Sequence, residues 1–508
     1  MEILNSILTW VMKKRIHQME LFMKYPHEVQ DELIKKLIYQ ARHTEFGKQY
    51  DFENIHSLDD FKSNVPISTY EDFFPYIQRL MQGEQNILWP SEVRWFAKSS
   101  GTTNARSKFI PVTSEALEDC HFKGGKDMIS IYVNNHPDTK LFTGKCLGIG
   151  GSHQINQYDP HANSYYGDVS AVIMKNLPLW AQFVRTPSLD IALMDDWEDK
   201  IEKMAKATSE VNVTSIQGVP TWTIVLLQRI VELKGVDNIL EVWPNLEVFV
   251  HGAVAFGPYR SLFRQLIPSP SMHYLETYTA SEGFIGIQDQ SSVHEMLLML
   301  DYGIYYEFIP IEDLHKENPR TLTLEQVEVN QNYALVISTN AGLWRYLIGD
   351  TVKFTSVDPY RIKVSGRTKH FINAFGEELI IENAETAIAR ACQDTGATIN
   401  NFTAGPLYIE AGSKGCHEWV IEFTQEPENL PIFTQQLDQH LKEINSDYEA
   451  KRYKDIALQE PVIHNVPPGT FYHWMKKRGK LGGQNKVPRL ANNREYLDDI
   501  LEMMQVAT

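Results

Sequence analysis

From Glu92 onward the chain alternates short apolar runs of strand length with longer segments of helical spacing. Val93–Ala97, Phe109–Val112, Leu141–Phe142, Cys146–Ile149 and Leu246–His251 read as strands. Thr113 with Glu115 and Ala116 reads as a capped helix start, and Leu226, Leu227 and Ile230 keep helical spacing after Pro220. Strand–helix–strand units of this kind build an α/β fold with substantial parallel sheet. Between 300 and 370 the rhythm changes to short strands separated by turns, as in an antiparallel sheet or small barrel. From about 375, helices over Ile381–Cys392 and Ile432–Ile444 alternate with strands near Leu407–Glu410 and Trp419–Phe423, which predicts a small α+β unit. Ahead of all this, residues 1–45 read as two helices broken at Tyr25-Pro26, followed by a turn over Thr44–Tyr50.

A chain of 508 residues exceeds what one core usually serves, so at least two domains are expected. The formal charge, 48 − 65 = −17, argues against a nucleic-acid partner, and the basic run at 476–480 reads as solvated surface. No run of roughly 20 apolar residues is present, so no membrane span is expected. Lys13, Lys14 and Arg15 follow the apolar Ile7–Met12, the reverse of a signal peptide. The expectation is a soluble, cytoplasmic protein. Its four cysteines form no Cys-x-x-Cys pair and read as reduced thiols.

Five segments carry chemistry. Lys98–Lys108 contains Ser99, Ser100, Gly101, Thr102 and Thr103, a hydroxyl-rich stretch suited to phosphate oxygens, read as a polar loop. Lysines and arginines flank it, and its residues leave open which of them meets phosphate. It does not fit the Gly-x-x-x-x-Gly-Lys-[Ser/Thr] pattern. Tyr278-Thr279-Ala280-Ser281-Glu282 offers a ring for a base and a carboxylate for Mg²⁺. Asp350, after Gly349, suits ribose hydroxyls or else a salt bridge with Arg345. Gly366-Arg367-Thr368-Lys369 and Lys486-Val487-Pro488-Arg489 complete the set.

The order of these pieces resembles the adenylate-forming superfamily. More closely, the chain resembles the Gretchen Hagen (auxin-responsive) family of acyl acid-amido synthetases, in a bacterial-type form. Thr44–Lys48, Ser99–Thr103, Tyr278–Glu282, Tyr346–Asp350, Phe371–Glu377 and Lys486–Arg489 carry the likeness. Asn104, Ala105, Thr279, Ala280, Leu347 and Asn485 depart from the usual pattern.

The resemblance implies a large N-terminal adenylation domain over 1–373, built of parallel sheets, flanking helices and a small β-barrel. A mobile α+β domain over 374–508 would follow. It implies ATP and Mg²⁺ as cofactors, with a carboxylic acid and an amine, an amino acid, as partners. The acid would become acyl-AMP with loss of pyrophosphate, and the acyl group would pass to the amine. Ser99–Thr103 would hold phosphates, and Glu282 would place Mg²⁺. Gly252, Ala253 and Tyr278–Ser281 would border the nucleotide, with Asp350 and Arg367. Lys486 would meet the α-phosphate. Val219, Phe256 and His153 are the acyl-pocket candidates. A monomer or weak dimer is expected. An acyl-CoA synthetase and a nucleotide-binding protein without turnover are the competing readings.

Overall fold

One sheet organises the chain. The computed structural model describes every residue except 1–4, 6–8, 13, 103–105, 151–155, 160–161, 195, 255, 292, 315, 368–370, 378, 409–413, 456, 479–486 and 507–508. Among the described residues the sheet holds eleven strands. From one edge to the other they are Ile304–Pro310, Asn332–Thr339, Tyr346–Val357, Tyr360–Arg367, Met296–Leu298, Gly283–Ile287, His273–Ala280, Val248–His251, Val213–Gln217, Lys145–Gly148 and Arg185–Thr186. The last five pair in parallel. The rest pair antiparallel, starting where Gly283–Ile287 folds back on His273–Ala280. The short strands between 300 and 370 therefore extend the parallel ladder edge to edge.

The helices over the parallel half follow from local chemistry. Pro220–Lys234 starts with proline at its first position, where the missing N–H costs no hydrogen bond. It stops at Gly235, whose φ of 64° supplies a left-handed cap. Trp222, Leu226, Leu227 and Ile230 form its buried face, packed with Leu147, Ile216 and Phe249 of the sheet. No helix among the described residues is long and apolar enough to cross a membrane.

Three segments differ from the sequence expectation. Thr44–Tyr50 is a short helix, Glu45–Gln49, because the Thr44 hydroxyl accepts from the Gly47 N–H at 2.9 Å and caps it. Leu141–Thr143 is a 3₁₀ turn rather than a strand. Ser99–Ser107 is no simple loop, since Trp95–Thr102 and Arg106–Val112 form an antiparallel hairpin.

At the C-terminal end, Thr398–Leu407, Cys416–Gln425 and Val462–Val466 form a three-stranded sheet. Helices Ile381–Thr395 and Leu430–Ile444 accompany it, giving the expected α+β unit. Trp419, Phe423, Phe433 and Leu437 belong to the same core cluster as Trp222 and Phe249, so this unit packs on the parallel half.

Arg345 does not pair with Asp350. Its guanidinium forks onto Glu307 at 2.9 and 3.0 Å and donates to the carbonyls of Lys62 and Val65. Both charged groups are almost fully buried. Removing one partner strands the other charge away from water. Glu307→Ala is therefore expected to lower unfolding free energy by roughly 3–5 kcal/mol in denaturant titration. A loss of less than about 1 kcal/mol would show the pair to be dispensable.

Candidate active site

The hairpin places Ser99 directly opposite Lys108. Lys108 is 8% exposed, a burial that a lysine tolerates only with partners. Its Nζ donates to the Tyr346 hydroxyl at 3.2 Å and lies over the Tyr70 and Tyr346 rings at 5.8 and 5.7 Å. The Tyr346 phenol is hydrogen-bonded to Glu282. Burial and that carboxylate push its pKa well above the ordinary phenol value, so it stays a donor. Lys108, Tyr346 and Glu282 thus form a chain of hydrogen bonds beside Ser99. The backbone of Ser100, Gly101 and Thr102 continues the strand. Thr103, His153 and Lys486 lie outside the described residues.

Tyr278 and Asp350, 72 positions apart, meet at 2.6 Å, with the phenol donating to the carboxylate. Tyr278 comes from the last parallel strand and Asp350 from the antiparallel half. Gly349, at φ 97°, allows the irregularity in strand register just before Asp350. Arg367 is the cross-strand partner of Asp350.

Beyond His251 the chain runs under strain. A Cβ on Gly252 would lie 2.5 Å from the Thr277 carbonyl oxygen, so glycine is required there. Ala253 follows at φ 69°, a left-handed conformation that costs a non-glycine residue energy. Its carbonyl accepts from the Asn373 side chain at 3.2 Å. The Asn373 N–H donates in turn to the side chain of Asn492, whose carbonyl accepts from Tyr408. His251 is buried against Phe256, with ring centroids 4.1 Å apart, and burial pushes its pKa down to about 3. It is therefore neutral.

These groups surround a cavity of about 390 Å³. Ser99, Ala253, Tyr278, Thr279, Ala280, Ser281, Glu282 and Asp350, all sequence candidates, line it. So do Lys108, Glu276, Ser365, Asn373, Tyr408 and Asn492. Gly252 shapes it from behind. Val219 caps the helix Pro220–Lys234 and Phe256 sits in the ring cluster with Phe249, Phe263 and Tyr274; neither is among the lining residues. Glu276 was missed because it belongs to no motif. Its signal was strand alternation, which puts it on the same face as Tyr278. Burial raises its pKa above the carboxylate norm.

The lining combines two chemistries. Hydroxyls, Lys108 and Glu282 suit phosphate and a hard divalent cation such as Mg²⁺. Ala253, Val254, Met296 and Val364 suit a flat ring.

Residues 15–272, 297–367 and 382–495 match, in turn, the GH3 family N-terminal, central and C-terminal domains. The indole-3-acetic acid-amido synthetase GH3.3 of Arabidopsis thaliana is 23% identical, over 94% of this chain and 92% of its own. The structure of the GH3.15 acyl acid amido synthetase in complex with 2,4-DB superposes with a TM-score of 0.59 at 18% identity, covering 94% and 93%. A 2-hydroxyisobutyryl-CoA ligase in complex with 2-HIB-AMP and CoA gives 0.57 at 14%, covering 95% and 93%. At these identities the two structures establish a shared fold.

Asp350→Ala removes the carboxylate that joins the two halves of the cavity. AMP affinity, measured by titration calorimetry, is expected to fall roughly 10- to 100-fold, the worth of a charged hydrogen bond. Unchanged affinity would remove Asp350 from the nucleotide site.

Proposed function

The chain belongs to the GH3 family, and on that premise we propose that it is an ATP-dependent acyl acid-amido synthetase. The observation that carries this reading is the cavity joined by Tyr278 and Asp350. Ser99 is paired with Lys108, which is linked through Tyr346 to Glu282, and Glu276 lies on the same strand as Tyr278. From Glu276 the strand runs four residues to Ala280, about 13 Å at the usual rise, before the turn at Ser281 and Glu282. Phosphates would lie at Ser99, ribose at Asp350 and base toward Glu276.

In the first step an oxygen of the substrate carboxylate attacks the α-phosphorus of ATP. A new P–O bond forms, the bond to the bridging oxygen breaks, and pyrophosphate leaves. The protein's work is positioning and charge stabilisation. Ser99 and the strand through Thr102 hold phosphate oxygens, with Lys108 opposite. Glu282, kept in place by Tyr346, would hold Mg²⁺, which would offset phosphate charge. Tyr278 and Ala253 border adenine, and Glu276 accepts from its exocyclic amine. Lys486, carried on the C-terminal domain, would meet the α-phosphate, and Arg367 would join the nucleotide contacts.

In the second step an amine, that of an amino acid, attacks the acyl carbon; the amide forms and AMP leaves. Between the steps the domain over 374–508 turns on the segment 372–375. Support for that hinge comes from Asn373, which ties Ala253 to Asn492, and from Gly376 at φ 89°. The acyl chain extends toward Val219, with Phe256 backing the wall through His251. We place the reaction in the cytoplasm, in a monomer or weak dimer.

The test crosses carboxylic acids with amino acids and reads pyrophosphate release and product mass. An amide plus AMP is expected, whereas a CoA thioester without amide would contradict the acceptor. Lys486→Ala should lose ATP–pyrophosphate exchange at least roughly 100-fold while staying folded, in line with loss of one electrostatic stabiliser. Normal exchange would exclude Lys486. Glu276→Gln should raise the KM for ATP and relax discrimination against GTP, whose ring oxygen a carboxylate repels; unaltered discrimination would place the base elsewhere.

A further inference from the structure

Arg185 is a cation that the scheme above does not use. It sits on the edge strand Arg185–Thr186, in register with Cys146. One guanidinium nitrogen, Nη1, is buried and has no hydrogen-bond partner. Among the described residues Nη2 meets the Met174 thioether, at 2.7 Å, a weak acceptor. The one titratable group acting on it is the Cys146 thiol, and burial disfavours its charge. A guanidinium offers five donors. Among the described residues no carboxylate is paired with them.

Its position gives those donors a purpose. Nη2 lies 3.3 Å from where a Cβ on Gly148 would be, so the group lies across the strand Lys145–Gly148. Gly148 is in register with Gln217, and Gln217 with Val250. Register partners in parallel strands share a face. Val250 is in register with Leu275, two residues before Thr277 of the cavity on the same face, and stands three residues before Ala253. Two strand spacings, about 10 Å, separate Gly148 from Val250. The floor between them is a glycine and Gln217, the one exposed residue of its strand. All these strands end at the same edge, where open parallel sheets bind their ligands.

We propose that Arg185 anchors a carboxylate carried by a substrate, the α-carboxylate of the amino acid acceptor. The choice of acceptor rests on the amide-forming reading; the carboxylate site does not. A second carboxylate on the acid substrate has the same chemistry, and the assays separate the two sources.

Arg185→Met and Arg185→Lys are compared with the native chain. The first assay measures amide formation with L-alanine or L-glutamate and with the matching amino acid amides, which keep the amine and lose the carboxylate. Arg185→Met should raise the KM for the amino acids roughly 10- to 100-fold, the range for a charged hydrogen bond. It should leave pyrophosphate release and the amino acid amides unchanged, with Arg185→Lys in between. The second assay titrates L-glutamate, L-alanine and succinate into the AMP-saturated proteins by calorimetry. It needs no turnover, so it stands even if no amide forms. Loss of succinate binding alone assigns the site to the acid substrate. Equal KM and equal binding in Arg185→Met overturn the proposal. So does a lowered thermal midpoint with carboxylate preference intact, the result expected of an arginine that only packs.

Discussion

A 2.6 Å hydrogen bond from Tyr278 to Asp350 joins the two halves of this molecule at the point where its chemistry is placed. On one side of it the sheet is parallel and helix-covered; on the other it is antiparallel. A parallel strand must end before the chain can turn back, and the hairpin from His273–Ala280 into Gly283–Ile287 makes that turn at Ser281 and Glu282. The change of direction puts a carboxylate, two hydroxyl residues and an aromatic ring within a few residues of each other. Asp350 then reaches across from the antiparallel half. The cavity lies where the two pairing modes meet.

Buried polar chains hold that junction. Lys108, Tyr346 and Glu282 are each within one hydrogen bond of the next, and each comes from a different part of the chain. Arg345, the residue before Tyr346, adopts a left-handed bend at the start of that strand and is fixed by Glu307. Two neighbouring residues therefore serve the scaffold and the site. The strained Ala253 and the glycine before it are held the same way, by Thr277 behind and Asn373 in front.

Much of this was legible in the sequence, though unevenly. The α/β rhythm and the final α+β unit were readable because strand and helix periods differ plainly. Ser99, Tyr278, Glu282 and Asp350 were readable because each sits in a short segment of unusual composition. Lys108 was left open because Ser99–Ser107 read as a loop, and a loop has no register to pair Ser99 with Lys108. Glu276, Tyr408 and Asn492 stand alone in sequence and reach the cavity only through tertiary folding. The choice at Asp350 between ribose and Arg345 needed the structure, since a five-residue separation permits contact without requiring it. Val219 and Phe256 were offered by resemblance, and neither is among the residues that line this cavity.

The central claim is that the acid is activated by bonding its oxygen to the α-phosphorus. Labelling both carboxylate oxygens of a turned-over acid with ¹⁸O tests this directly. After one turnover with ATP and an amino acid, one label should appear in AMP and the other in the amide, as read by mass spectrometry and by the ³¹P isotope shift. Label in inorganic phosphate, with ADP as the nucleotide product, would contradict the account.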